Sequence, residues 1–169
     1  TLMKKAGYAT AVIGKWHLGL GGPSGPDWNG ELKPGPRDIG FDYCYLLPTT
    51  NDRVPQVYVE NWRVKNLDPN DPLWVGRKKP SPDHPTGITH RSTLKMDWSH
   101  GHNSTIHNGI SRIGFYTGGL AARFRDEDLA DEWVNQSNKW IESNKDNPFF
   151  LFFSSHDLHV PRIPHERFR

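Results

Sequence analysis

Apolar and polar positions change their period several times along this chain, and each change marks an element. Leu2 to Ala6 reads as a short helical stretch, with Gly7 placed to end it. Ala9 to Ile13 is a short, apolar, partly β-branched run, the pattern of a strand buried on both faces of a parallel sheet. A helix, a tight turn and such a strand make half of an αβ unit. Phe41 to Leu47 is a second strand candidate. Gln56 to Leu67 alternates at Val57, Val59 and Val64 around a turn at Glu60-Asn61, which predicts a small antiparallel ribbon. Leu129, Ala130, Trp133, Val134, Ser137, Trp140 and Ile141 recur at helical spacing. Asp126 or Asp128 is placed to cap that helix, acidic residues crowd its positive end, and Lys145 lies past the other. Asn147-Pro148 breaks the pattern, and Phe149 to Phe153, apolar throughout, reads as a central parallel strand.

Between these elements the chain is rich in glycine and proline. Gly19 to Asp38 is a loop with a turn at Pro34-Gly35, and Asp68 to Lys95 shows no period at all. Gly114 to Gly119 is expected to turn sharply, so residues 68–119 as a whole read as an irregular insertion. The chain opens at Thr1 without an initiator Met and closes within the loop-like VPRIPHERFR, the look of an internal piece of a larger protein.

Composition changes this picture little. A hydrophobic fraction of 34% is low, but seven Trp and eight Phe within 169 residues supply enough apolar area for one domain with a core. The net charge of +2 is spread over interspersed acids and bases, so no nucleic-acid-binding stripe is visible. Cys44 is the sole cysteine, which excludes an internal disulfide and a cysteine-based zinc site. No apolar run is long enough to predict a transmembrane helix.

The candidate chemistry sits after the two buried strands, where open α/β sheets bind ligands. One strand runs into Gly14-Lys15-Trp16-His17, the other into His156-Asp157-Leu158-His159. If the strands are neighbours, their loops share one pocket. A lysine offers a compact positive charge, and histidine can donate a hydrogen bond or pass a proton near neutral pH. Such a set suits a small oxyanion. Taken singly, Lys15 also fits a solvated loop, and the His-x-x-His spacing fits a chance pair. Asn51, Asp52 and Arg53 follow the second strand candidate and suit either a polar substrate such as a sugar or a capped turn. His100, His102 and His107 suit substrate contact or metal ligation. No cysteine or repeated carboxylate accompanies them, so no metal ligand is assigned and His100 and His102 are taken as substrate contacts. Trp16 reads as a packing wedge.

GYATAVIGKWHLG, Gly7 to Gly19, resembles the second signature of the sulfatase family: Gly-Tyr-x-Thr, two residues, an apolar residue, then Gly-Lys-x-His. PFFLFFSSHDLHVPRIPHERF, Pro148 to Phe168, is similar to a later sulfatase segment in which a strand ends in a histidine-bearing loop. GPRDIGFDYCYLLPTTNDRVPQVYVEN resembles the connecting region of bacterial arylsulfatase-type enzymes that act on sulfated carbohydrates. The resemblance implies an alkaline-phosphatase-like α/β sandwich, with a mixed, mostly parallel sheet between helices, of which residues 1–169 form a partial catalytic domain. It implies a sulfuric ester hydrolase acting on a sulfated carbohydrate or aryl sulfate, outside the cytoplasm. By the same resemblance Lys15 binds the sulfate oxygens, His17 contacts the catalytic aldehyde hydrate, and His159 contacts sulfate and passes a proton to the leaving alcohol. His156 and Asp157 take no assigned role. The family's formylglycine arises from Cys or Ser in Cys/Ser-x-Pro/Ala-x-Arg, and Cys44, in DYCYLL, lies outside that motif. The family's aspartates and Asp-Asn pair, which bind calcium, have no match either. Formylglycine and Ca2+ are therefore expected outside the chain, and the chain alone is expected to be inactive. Two other functions remain open at this point: a phosphatase or phosphodiesterase of the same superfamily, and a non-catalytic domain that binds anionic glycans.

Overall fold

In the computed structural model, which describes residues 1–168, the apolar run after Gly7 forms strand β1 (Ala9–Lys15), preceded by one turn of helix, α1 (Leu2–Lys5). β1 pairs in parallel on both sides. Its neighbours are β2 (Tyr43–Leu47), with Ala11 opposite Tyr43, and β9 (Phe149–Ser154), with Ala9 opposite Phe149. The antiparallel ribbon follows β2 as β3 (Val59–Glu60) and β4 (Arg63–Val64), giving the sheet order β4-β3-β2-β1-β9. The ribbon's turn sits one residue later than expected, at Asn61-Trp62, because Asn61 takes a left-handed φ of 57° that asparagine tolerates.

Alternate residues of β1 and β2 feed two cores, one on each face of the sheet. Val12, Cys44 and Leu46 enter one, with Val57, Val59, Leu32 and Tyr116. Ile13, Tyr45 and Leu47 enter the other, beneath helix α2 (Leu129–Asn144). Ile13, Leu46 and Leu47 are fully buried, and each such side chain contributes about 1.5–3 kcal/mol. The Tyr45 hydroxyl donates to Glu132 on α2 at 2.5 Å, tying sheet to helix.

The helix lies on the sheet in a different rotation from the expected one. Leu129, Trp133, Gln136 and Ser137 are buried, whereas Ala130 and Val134 face solvent. Trp133 sets this rotation. Its indole packs edge-on against Tyr58 and Tyr45, at centroid distances of 5.4 and 6.0 Å, and helical geometry then carries positions 136 and 137 onto the covered face. Neither expected cap forms. Asp128 precedes the helix without a capping bond, and the Asp126 carboxylate is taken by Arg112.

Two further differences concern the periphery. β9 is the edge of the sheet among the described residues rather than a central strand. Leu151 packs beneath α2 and Phe149 meets Trp140 edge-on, but Phe150, Phe152 and Phe153 are 38%, 43% and 46% exposed. Residues 68–119 also hold two small ribbons, β5 (Trp74–Gly76) with β8 (Phe115–Thr117) and β6 (Ile106–His107) with β7 (Ile110–Ser111). Phe115–Thr117 is thus a strand, flanked by glycines at positive φ, Gly114 before it and Gly118 and Gly119 after it.

Trp133 is the largest side chain in the α2 core. Trp133→Ala is expected to cost about 3–5 kcal/mol, read as a lower denaturant midpoint. Trp133→Phe keeps most of the ring and should cost only about 1–3 kcal/mol, chiefly from the lost N–H donor.

Candidate functional site

The carboxyl ends of β2, β1 and β9 lie side by side, because Lys15 is in register with Leu47 and Gly14 with Ser154. Gly14 makes that approach possible. It sits at a φ of 113°, and a Cβ there would lie 2.0 Å from the Ser154 carbonyl oxygen. No other residue fits. Lys15 follows at once, half-buried, its ammonium in no hydrogen bond or ion pair among the described residues. Trp16 is buried and donates its indole N–H to the Gly19 carbonyl at 2.8 Å, which closes the loop beneath the site, as a packing wedge should. The Trp16 and His17 amides donate to the Leu47 and Pro48 carbonyls, so the pairing with β2 runs past the strand end. His17, at a φ of 52°, is thereby fixed with its side chain exposed.

Beyond β9, His156 is buried, and its Nδ1 accepts from the Trp133 indole at 3.0 Å. An indole N–H can only donate, so Nδ1 is bare and Nε2 carries the hydrogen, 3.5 Å from an Asp157 oxygen. Burial holds this ring below the usual imidazole range, against the pull of Asp157; the charges of His159 and Lys15 push the same way as burial. The loops carrying Lys15 and His159 follow adjacent strands, with Gly14 in register with Ser154. The His159 Nδ1 faces its neighbour's carbonyl, Val160 O, at 2.7 Å and lies 3.9 Å from Asp52 Oδ1. A cleft of about 390 Å³ opens behind this loop against the start of α2, lined by His156, Asp157 and His159 but by neither Lys15 nor His17.

The loop after β2 differs from its expected role. Asn51 and Asp52 are buried, at 1% and 4% exposure, so neither is an open substrate contact. The Asn51 amide donates to Pro161 O at 3.0 Å and its carbonyl accepts from Arg112, which ties the β2 loop to the β9 loop. Asp52 receives the Thr50 hydroxyl and His102 Nε2, the latter at 2.9 Å. Arg53 alone of the three is exposed. The three histidines of the middle segment part company. His100 is exposed, His102 is bound to Asp52, and His107 is buried between the Tyr116 hydroxyl and the Phe124 carbonyl.

Sequence reasoning missed Arg112, which holds this arrangement from below. It is fully buried, pairs with both oxygens of Asp126 at 2.9 and 2.6 Å, and also donates to the Asn51 and His107 carbonyls. Its signal was present but faint: a lone arginine between Ile110 and Ile113, in a segment read only as part of an irregular insertion.

Three parallel strand ends, an unpaired lysine and histidines in adjoining loops define a class. The chain belongs to the sulfatase family, whose model matches residues 1–168. It is 52% identical over 167 residues to an N-acetylgalactosamine-6-O-sulfatase of Bacteroides thetaiotaomicron, covering 99% of this chain and 33% of that protein. Human arylsulfatase D is 26% identical over 183 residues, covering 96% of this chain and 29% of its own. A solved Bacteroides thetaiotaomicron structure, from work on the metabolism of multiple glycosaminoglycans, superposes with a TM-score of 0.95 at 51% identity. That match covers 99% of this chain and 35% of the other. The chain thus spans about a third of the length of these relatives, and its mixed sheet is part of the alkaline-phosphatase-like α/β fold expected from the sequence.

The groups that the family implies do not fit the residues present. Among the described residues no three His, Cys, Asp or Glu side chains stand close enough to hold a calcium ion. Cys44 is a core residue at 0% exposure whose thiol burial pushes up to about 12, not an exposed precursor of formylglycine.

Two outcomes follow from this geometry. Gly14→Ala should cost at least about 1–3 kcal/mol from backbone strain alone and displace β9, measurable by thermal unfolding. His107 is held down at about 4 by burial, with the Arg112 charge adding to it. Its unfolded ring titrates near ~6.5, so between those values the unfolded chain binds more protons. Stability should therefore fall as pH drops through that window, by on the order of 3 kcal/mol. His107→Gln should flatten the slope of melting temperature against pH.

Proposed function

We propose that this chain supplies the sulfate-binding and leaving-group side of an active site that hydrolyses sulfate esters of a carbohydrate. The observation that carries this reading is the unpaired Lys15 ammonium at the end of β1, set by Gly14 against the histidine-bearing end of β9. A half-buried cation with no counter-ion favours an anion that arrives from outside. The three oxygens of a sulfuryl group would take hydrogen bonds from Lys15 and its neighbours, and His17 would hold the attacking group. His159 Nδ1 is committed to the Val160 carbonyl, which leaves Nε2 to protonate the departing alcohol. His159 also lines the cleft behind the loop, which would give a departing sugar room.

The family's calcium ion and formylglycine would come from segments other than the residues described. The sugar we infer is a 6-O-sulfated N-acetylgalactosamine, on the strength of the relative that is 52% identical along nearly this whole chain.

The test is sulfate release by the complete polypeptide that carries this chain, offered 6-sulfated N-acetylgalactosamine and, separately, the 6-phosphate. Sulfate but not phosphate should appear. Lys15→Ala should lower kcat/KM by about 10²-fold or more, and Lys15→Arg should restore only part of it, since the fork replaces a point charge. Undiminished turnover by Lys15→Ala, or hydrolysis of the phosphate ester alone, would end this reading.

A further inference from the structure

We propose that Asp52 is a positioning residue that orients His159 for proton delivery, with His102 as the clamp that fixes Asp52. This rests on the sulfate-ester reading above and assigns Asp52 and His102 to the support of the leaving-group acid rather than to the substrate.

The argument is one of donors and acceptors. An ionised carboxylate only accepts. Asp52 is buried, and all its contacts are made within the protein. Oδ1 takes the Thr50 hydroxyl and lies 3.9 Å from His159 Nδ1; Oδ2 takes His102 Nε2 at 2.9 Å. His102 is in turn used on both sides. Its Nδ1 faces the Ser99 carbonyl at 2.6 Å, which can only accept, and its Nε2 faces the Asp52 carboxylate. Both ring nitrogens therefore donate, a demand met by the imidazolium form. A charged His102 offsets the cost of burying the carboxylate, and a ring with neither nitrogen free cannot reach a substrate.

What remains of Asp52 points at His159. The Val160 carbonyl and Asp52 both lie on the Nδ1 side of that ring. The Val160 carbonyl holds the hydrogen on Nδ1, and the Asp52 charge 3.9 Å away favours it there, leaving Nε2 on the far side of the ring. In the charged ring Nε2 carries the proton that leaves. As the S–O bond to the sugar breaks, its electron pair stays on the sugar oxygen, which takes the Nε2 proton; over the full hydrolysis a water oxygen replaces it on sulfur. His159 is left neutral with Nδ1–H still on Val160, and Asp52 stays ionised throughout. The relation is that of a carboxylate behind a catalytic histidine, reached here from the strand next but one in the sheet.

Loss of an acid's alignment harms poor leaving groups most, because an electron-poor phenol departs without a proton. The experiment compares the complete polypeptide and its Asp52→Asn variant on two substrates, a sugar sulfate and a nitrophenyl sulfate. Asp52→Asn should lower kcat on the sugar sulfate by about 10²-fold and on the nitrophenyl ester by less than about threefold, with KM little changed. His102→Gln, which keeps a donor towards Asp52 without the charge, should show the same imbalance more weakly and serves if Asp52→Asn does not fold. In a long-range ¹H–¹⁵N spectrum the His102 ring should carry both protons in the parent and lose one in Asp52→Asn. Equal losses on the two esters, no loss on either, or a His102 ring with a bare nitrogen overturns the assignment. A parent inert on both esters instead removes the sulfate-ester reading beneath it.

Discussion

Everything at this site depends on one close approach, Gly14 of β1 against the Ser154 carbonyl of β9. A side chain at Gly14 would overlap that oxygen. Parallel strands pair along their length, but their ends can splay, and a splayed end here would separate Lys15 from the histidines that follow β9. The missing Cβ keeps the two strands paired through Gly14 and Ser154. The same residue's φ of 113° lies outside the range that other side chains adopt with ease. A single glycine thus sets both the spacing of the two loops and the direction in which Lys15 leaves the strand.

Below that contact the loops are held by groups that never reach the site. Arg112 and Asp126 form a fully buried ion pair, an arrangement that yields little net stability when weighed against apolar replacements. Its value here is positional. The guanidinium also binds the Asn51 carbonyl, Asn51 binds Pro161, and the β2 and β9 loops are joined through the middle segment. Trp133 does the same from the helix side: it fills the α2 core and fixes the tautomer of His156 with one N–H. Core packing and site geometry are in this case the same interaction.

The parts of this structure that were legible in the sequence are those with a local cause. The buried character of Ala9 to Ile13, the ribbon around Val59 and Val64 and the existence of α2 follow from short-range periods. Lys15 and the His156–His159 loop likewise read as following buried strands, and the sheet makes those two strands neighbours. The failures have non-local causes. No period in the helix says that Trp133 will turn it towards His156, or that Asp126 will leave its capping duty for Arg112. β9 has the composition of a central strand, yet strand position depends on what lies beside it, and among the described residues β1 alone does. Asn51, Asp52 and His102 looked like a polar surface for a sugar. Asp52 and His102 bind each other, His102 also faces the nearby Ser99 carbonyl, and the Asn51 amide N–H donates to the distant Pro161 carbonyl.

The distribution of charge then separates two kinds of group. Those left open at the strand ends, Lys15, His17 and His159, can all donate to an anion. The Asp52 carboxylate beside them is buried and taken up by Thr50 and His102, with His159 Nδ1 3.9 Å away. Asp157 is the exposed exception, and it is held by the Ser155 hydroxyl at 2.8 Å. An anion approaching Lys15 would therefore meet donors, while the buried Asp52 carboxylate lies 3.9 Å from the Nδ1 of His159. Had Asp52 been open, it would repel the same oxygens that Lys15 attracts. On the proposed reading, burial would let Asp52 orient His159 without competing with an incoming anion for Lys15.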